Sequence, residues 1–276
     1  MRQSPVLNVM IRAARQAGAL ALQHFDRREE LTVQTKNGPV DYVTNADVAV
    51  ERELIHLLRK AFPDHGVLAE EGGRKEGKSG LHWVIDPIDG TTNFARGIPH
   101  FCISLALARG DELVAGLVFD PAKDELFTAD KGGGAFLNER RIRVSEELHV
   151  KNSVVATGFP MHKEHLTGAY LEAFGSMYRT CGQLRRGGSA ALDLAYVAAG
   201  RLDGYWEPAL SRWDIAAGIL LVREAGGFVC DFGGSGDYLD SGDVLAANPG
   251  IHPKLLKILN EVAWPGRRGT GPRGPA

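Results

Sequence analysis

Trp83-Val84-Ile85-Asp86-Pro87-Ile88-Asp89-Gly90-Thr91-Thr92-Asn93-Phe94 is the stretch on which the reading of this chain turns. An apolar strand runs into two aspartates three positions apart, then into a Gly-Thr-Thr segment whose backbone can turn tightly and offer N–H groups to an anion. Asp86 and Asp89 are hard oxygen donors of the kind magnesium prefers. Pro87 stiffens the chain between them and leaves the carbonyl of Ile88 as a third oxygen. The segment reads as a metal and phosphate site in one loop. An Asx-type turn closing a strand would account for only one aspartate followed by glycine.

Two further acidic positions fit the same chemistry. Glu70 and Glu71 follow the short apolar run Val67-Leu68-Ala69, and adjacent carboxylates repel unless a cation or solvent separates them. Taken alone they read equally well as a solvated loop. Beside Asp86 and Asp89, Glu70 becomes a candidate ligand, because two metals need more carboxylate oxygens than one loop supplies. Asp214 opens the helical stretch Arg212-Trp213-Asp214-Ile215-Ala216-Ala217-Gly218, where an aspartate can serve as a cap stabilised by the helix dipole. Its other reading is a ligand delivered from a second half of the molecule, which places the site in a cleft between halves.

Outward from these motifs, apolar periodicity predicts helices from Leu7 to Phe25 and from Asp47 to Phe62, the second ended by Pro63. Lys36-Asn37-Gly38-Pro39 between them is turn-rich. After the Asp86 loop, Phe101 to Ala108, Leu113 to Phe119 and Glu125 to Ala129 read as an antiparallel meander. The rhythm then changes. Strands at Val154 to Thr157, Asp203 to Glu207, Phe228 to Asp231 and Val244 to Ala247 alternate with helices at His162 to Tyr178, Ser189 to Ala199, Trp213 to Ala225 and Pro253 to Val262. The fold class is therefore α/β, an α+β N-terminal half (1–147) carrying most candidate ligands followed by an α/β C-terminal half (148–264). Residues 265–276, rich in Gly, Pro and Arg with no apolar face, are expected to form a disordered tail.

Composition narrows the function classes. Hydrophobic residues make up 44% of the 276 and charged residues 24%, with a formal net charge of -2 and no basic run in the body of the chain. Nucleic-acid binding gets no support from composition, although folding can still assemble a basic patch. Cys102, Cys181 and Cys230 lack metal-ligand spacing and sit in apolar or small-residue surroundings, which predicts buried reduced thiols and a cytoplasmic location. No apolar run approaches the length of a bilayer span, and the N-terminus lacks a signal-peptide pattern.

Together the Asp86 to Phe94 motif, Glu70-Glu71, Val43-Thr44-Asn45-Ala46-Asp47 and the Trp213 to Gly218 motif resemble the inositol monophosphatase family of magnesium-dependent, lithium-sensitive phosphatases. The resemblance runs from about residue 6 to 262. Ala156-Thr157-Gly158-Phe159-Pro160 and the stretch Gly188 to Gly200 look closest to bacterial members. It implies a layered αβαβα sandwich, a homodimer, and two or three Mg2+ ions held by Glu70, Asp86, the Ile88 carbonyl, Asp89 and Asp214. Thr91 would orient the attacking water with Asp47 as its partner, and Glu70 would help activate that water. Gly90 and Thr91 would cradle phosphate beside Asp89, while Arg185, Gly188, Ser189, Ala190 and Glu207 match the region lining the alcohol. Lys36 matches a basic residue near the metals and reads equally well as a solvated loop lysine. Pro208-Ala209-Leu210 departs from the Glu-Ile-Gly that family members often carry there, so the sugar-facing loop is the part of the pattern that does not transfer.

The implied reaction is hydrolysis of inositol monophosphate and related sugar-alcohol phosphates by an activated water. No Cys-x5-Arg loop is present to form a covalent intermediate. Three rival activities share the metals and differ in the alcohol pocket: fructose bisphosphatase, histidinol phosphatase and 3'-nucleotide phosphatase. A rival of another class is an interaction protein, since some bacterial relatives associate with the transcription machinery.

Overall fold

The computed structural model describes residues 4–35, 42–161 and 163–266. Lys36 and residues 267–276 of the expected tail lie outside them.

The first helix, α1 (Pro5–Asp26), starts where Ser4 Oγ accepts the Leu7 N–H at 3.1 Å, with Pro5 in the first turn. Strands β1 (Val33–Thr35) and β2 (Tyr42–Thr44) form a small hairpin leading into α2 (Asn45–Ala61). The large sheet follows with β3 (Gly66–Ala69), β4 (Gly73–Lys75) and β5 (Leu81–Asp89). After the short helix α3 (Thr91–Ala95) it continues as β6 (Cys102–Arg109), β7 (Glu112–Asp120), β8 (Glu125–Asp130), β9 (Gly134–Leu137) and β10 (Arg140–Arg141). The C-terminal half runs β11 (Val154–Thr157), α4 (Thr167–Thr180), β12 (Gln183–Arg185), α5 (Ala190–Ala198), β13 (Gly204–Glu207), α6 (Arg212–Glu224), β14 (Phe228–Cys230), α7 (Tyr238–Ser241), β15 (Val244–Ala247) and α8 (His252–Asn260).

Strand order in the large sheet is β10-β9-β8-β7-β6-β5-β3-β4, antiparallel except for the β3–β5 pair. The second sheet is mixed, ordered β12-β11-β13-β15-β14. Alternation along the strands sends side chains to opposite faces, and each face is covered. Trp83, Ile85, Leu105 and Leu117 pack under Leu54 and Leu58 of α2 and the alanine-rich face of α1. There Gly18 is required: a Cβ would come within 2.6 Å of the Phe119 ring. On the opposite face Val84, Ala106 and Val118 meet α5 and α6, whose Leu192, Ile215 and Ile219 also reach Ala156, Tyr205 and Ala246 of the second sheet. Trp206, Leu245 and Ala247 on the far side of that sheet are covered by Tyr170 and Met177 of α4 and Leu255 and Leu259 of α8. The order helix, sheet, helix, sheet, helix is the αβαβα sandwich expected from the resemblance.

Several sequence expectations shift at their edges. The helix expected from His162 begins at Thr167, after a 3-10 turn over Glu164–Leu166; His162 itself lies outside the described residues. The strands Gly73–Lys75, Arg140–Arg141 and Gln183–Arg185 were not anticipated, because they are short, polar edge strands without apolar alternation. Arg140–Arg141 closes the large sheet and Val154–Thr157 opens the second, but α5 and α6 serve both sheets, so the chain's halves share one core.

Candidate active site

The site is built around an irregularity in β5. Asp86 pairs with Ser104 and Asp89 with Cys102, so three steps on β5 oppose two on β6, a β-bulge at Pro87–Ile88. Proline suits that position, having no N–H to give the ladder. Strict alternation would send Asp86 and Asp89 to opposite faces. The extra residue restores Asp89 to the side of Asp86, facing α5 and α6, while Ile88 joins Ile85 in the α1–α2 core.

Asp86 is 2% exposed, and its Oδ1 accepts the Ile88 N–H at 3.0 Å. Burial, then the charges of Glu70, Asp89, Asp214 and Asp47, push its pKa well above the ordinary carboxylate value. Asp89 Oδ2 accepts from Ser189 Oγ at 2.6 Å and from the Ala191 N–H at 2.7 Å, which seats it on the N-terminus of α5. Burial still raises its pKa, and those hydrogen bonds oppose the rise. Asp214 accepts the Ser211 N–H at 2.7 Å in a capping box, so it does cap α6. It also faces the cluster: burial, then Asp89 and Glu70, lift its pKa well above the ordinary value. Ser104 Oγ donates to the Trp213 carbonyl at 3.2 Å and so ties β6, at the residue paired with Asp86, to the start of α6. Glu70 is half-buried where β3 runs out, its N–H donating to Ile85 O at 3.2 Å.

Asp47, fully buried, accepts through Oδ2 from the Thr44 N–H at 2.8 Å and hydroxyl at 2.6 Å. Its Oδ1 lies 3.3 Å from Thr91 Oγ1, which also reaches the Ile88 carbonyl at 3.1 Å. Gly90 caps α3 with φ 97, and an added Cβ would sit 3.1 Å from His100 O and 3.2 Å from Gly188 O, so glycine is needed there. Asn93 Nδ2 donates to His100 O at 2.8 Å and Gly187 O at 3.0 Å, tying this turn to the loop before α5.

Those carboxylates are hard oxygen donors, gathered together and mutually repelling, a donor set suited to Mg2+. Among the described residues no group of three or more His, Cys, Asp or Glu side chains is drawn into a closed ion cage. Without neutralising charge, carboxylates hold apart, and here Asp89 and Asp214 each spend one oxygen on backbone N–H groups.

On the alcohol side, Glu207 accepts the Tyr205 hydroxyl proton through Oε2. Burial, then the Asp89 charge, raises its pKa to about 7 against the pull of Tyr205 and Arg186. Glu207 lies over Gly158, where a Cβ would be 1.9 Å from Oε2. Ser189 caps α5 and Ala190 is its first residue. Arg185, expected on the alcohol side, lies at the edge of the second sheet. It is exposed on edge strand β12, and its Nη1 donates to Gln183 Oε1 and Leu184 O. Arg186, also exposed, lies 5.1 Å over the Phe159 ring and near enough to lower the pKa of Glu207 and Asp193. Asp193, 4% exposed, was also missed: burial and the charges of Glu207 and Asp89 raise its pKa. Its position inside an Ala/Leu-rich helix gave no signal beyond a buried-side acid. Cys102 is buried with its thiol pKa pushed well up by burial, then by the Asp89 charge, which disables it as a nucleophile.

A model of the inositol monophosphatase family matches residues 2–263. The chain belongs to the inositol monophosphatase family. Inositol-1-monophosphatase of Mesorhizobium japonicum is 48% identical over 262 residues, covering 95% of this chain and 98% of that protein. Nus factor SuhB of Pasteurella multocida is 47% identical over 260 residues, 94% of this chain and 96% of the other. Among solved structures, the extragenic suppressor protein suhB of Bartonella henselae superposes with a TM-score of 0.88 at 46% identity, covering 93% of this chain and 98% of that one. The inositol monophosphatase of Anabaena gives 0.84 at 36% identity, with 94% and 96% covered. Family membership and these names support a phosphatase. Among the described residues no helix of this inositol monophosphatase family member is long and apolar enough to cross a membrane.

Proposed function

We propose that the chain hydrolyses inositol monophosphate and related sugar-alcohol phosphates in the presence of Mg2+. The observation that carries this is the mutually repelling group Glu70, Asp86, Asp89 and Asp214, buried at Asp86 and half-buried at the others and spread over both halves of the chain, with the Thr91–Asp47 pair beside it. Glu70, Asp86, the Ile88 carbonyl, Asp89 and Asp214 would hold two or three ions. Bound Mg2+ would lower the pKa of a water and stabilise the leaving oxygen. Thr91 Oγ1, donating its proton to Asp47 Oδ1, keeps a lone pair with which to orient the attacking water, and Glu70 takes up that water's proton. Backbone N–H groups of Gly90 and Thr91 hold the phosphate. Glu207 accepts hydrogen bonds from the alcohol, alongside Gly188, Ser189 and Ala190.

The test is a side-by-side assay of inositol 1-phosphate, glycerol 2-phosphate, fructose 1,6-bisphosphate, histidinol phosphate and a 3'-phosphonucleotide with Mg2+, with and without lithium. Lithium-sensitive preference for inositol 1-phosphate is expected; preference for another ester moves the chain to that activity. Exposed Ile98, Phe159, Met161, Leu171 and Tyr178 support a homodimer, checked by light scattering. The reduced, unpaired cysteines support a cytoplasmic location. Relatives named Nus factor support a second role at the transcription machinery, which co-purification with RNA polymerase decides.

A further inference from the structure

We propose that a groove on the outer face of α2 binds a small phosphate-bearing anion at a site separate from the carboxylate cluster. The groove has a volume of about 650 Å3, within the size range of small-molecule sites. Arg52, His56, Arg59 and Lys60 line it from α2, where their spacing puts them on one face, and Lys75 of β4 lines the opposite wall. Arg52, Arg59, Lys60 and Lys75 form no ion pair with a described residue, whereas Lys131, Arg201 and Arg212 each lie against a carboxylate.

The groove also contains Glu51 and Glu71, and their position gives it a direction. Glu51 Oε2 accepts the Glu71 N–H at 2.8 Å, which anchors both acids at the end next to Glu70. Lys60 is nine positions along α2 from Glu51, roughly 13 Å at the helical rise. Lys75 pairs with Val67, two steps back from the Ala69–Gly73 pair that precedes Glu70. Arg59, Lys60 and Lys75 therefore gather at the end away from the cluster, with Arg52 beside Glu51 at the other, and at the basic end a phosphate escapes the cluster's repulsion and can take several charge-assisted hydrogen bonds. A nucleic-acid backbone needs a continuous basic track, and the two acids interrupt it. One phosphate or oligophosphate group needs only the basic end.

Calorimetric titration of the metal-free, full-length protein with inorganic tripolyphosphate at low salt tests this, because without metal the acidic cluster repels the probe. One binding event is expected, weakened by added salt and at least tenfold weaker in Arg59→Ala/Lys75→Ala. A second variant, Lys60→Ala, should also bind more weakly than the parent, and circular dichroism of both variants should match the parent. The proposal is overturned if the parent does not bind tripolyphosphate or if folded variants bind it as the parent does. It is equally overturned if a single-stranded RNA, and not tripolyphosphate, binds and loses affinity in these variants.

Discussion

Thr91 Oγ1 lies 3.3 Å from Asp47 Oδ1, while the other oxygen of Asp47 is committed to the N–H and hydroxyl of Thr44. The capping box of α2 thus fixes the carboxylate that fixes the threonine. Helix start and candidate nucleophile site are one hydrogen-bonded unit.

Replacing the hydroxyl should therefore act on turnover. Thr91→Ala is expected to lower kcat by roughly 10²-fold or more, the scale of a positioned proton-transfer group, with KM little changed. Thr91→Ser should recover most of the loss. Steady-state kinetics on inositol 1-phosphate check both; an unchanged kcat in Thr91→Ala would mean that the residue only closes the turn.

Asp86→Asn should abolish turnover and leave the fold intact. Because burial and its neighbours disfavour the Asp86 charge, the metal-free variant is expected to melt higher than the parent near neutral pH, by about 2–4 °C for each kcal/mol relieved. Added Mg2+ should stabilise the parent and not the variant. Calorimetry with and without Mg2+ reads this, and normal activity in saturating magnesium would overturn the assignment.

Glu207 makes a prediction in pH and one in substrate. Its folded-state pKa of about 7 lies above the ordinary 4.5, so the folded chain retains a proton that the unfolded chain has lost. The contribution to stability is most favourable below about 4.5 and declines as pH rises through 7, by at most about 3 kcal/mol. Glu207→Gln should flatten that part of the melting-temperature profile between pH 5 and 8. Glu207→Ala should weaken kcat/KM on inositol 1-phosphate by about 1–3 kcal/mol, roughly five- to 150-fold, and that on a small ester without ring hydroxyls much less. Equal losses on both esters would assign Glu207 a structural role.

Asn93→Ala severs the tie from the Gly90 turn to His100 O and Gly187 O. Leaving two part-buried acceptors unpaired should cost about 1–3 kcal/mol, measured by denaturant unfolding. A loss below 0.5 kcal/mol, itself about the effect of an ordinary surface substitution, would show that these carbonyls find other donors.

Much of this was legible in the sequence, because helix periodicity, turn residues and the two long motifs are local patterns. The layers and the gathering of Glu70, Asp86, Asp89, Asp214 and Asp47 were anticipated through the resemblance they carry. What was not legible depends on register. Nothing local distinguishes a strand that ends at Asp86 from one that bulges and continues to Asp89, and the difference decides which face Asp89 takes. Arg185 and Arg186 are both exposed, and which of the two guanidinium groups comes near enough to act on Glu207 depends on the chain's path just after β12. Polar edge strands such as Gly73–Lys75 are defined by their partners rather than by their own residues.

The bulge at Pro87–Ile88 makes the site a matter of residue count as well as residue identity. Deleting Ile88 would leave every acid of the cluster in the chain and would return β5 to even pairing with β6. Asp89, now two steps from Asp86, would stay on the α5–α6 side, but the α1–α2 core would lose the Ile88 side chain and Thr91 Oγ1 would lose the Ile88 carbonyl, which is also a candidate metal ligand. A substitution scan that keeps the length of β5 constant would never expose this dependence; single-residue deletions and insertions in that strand would.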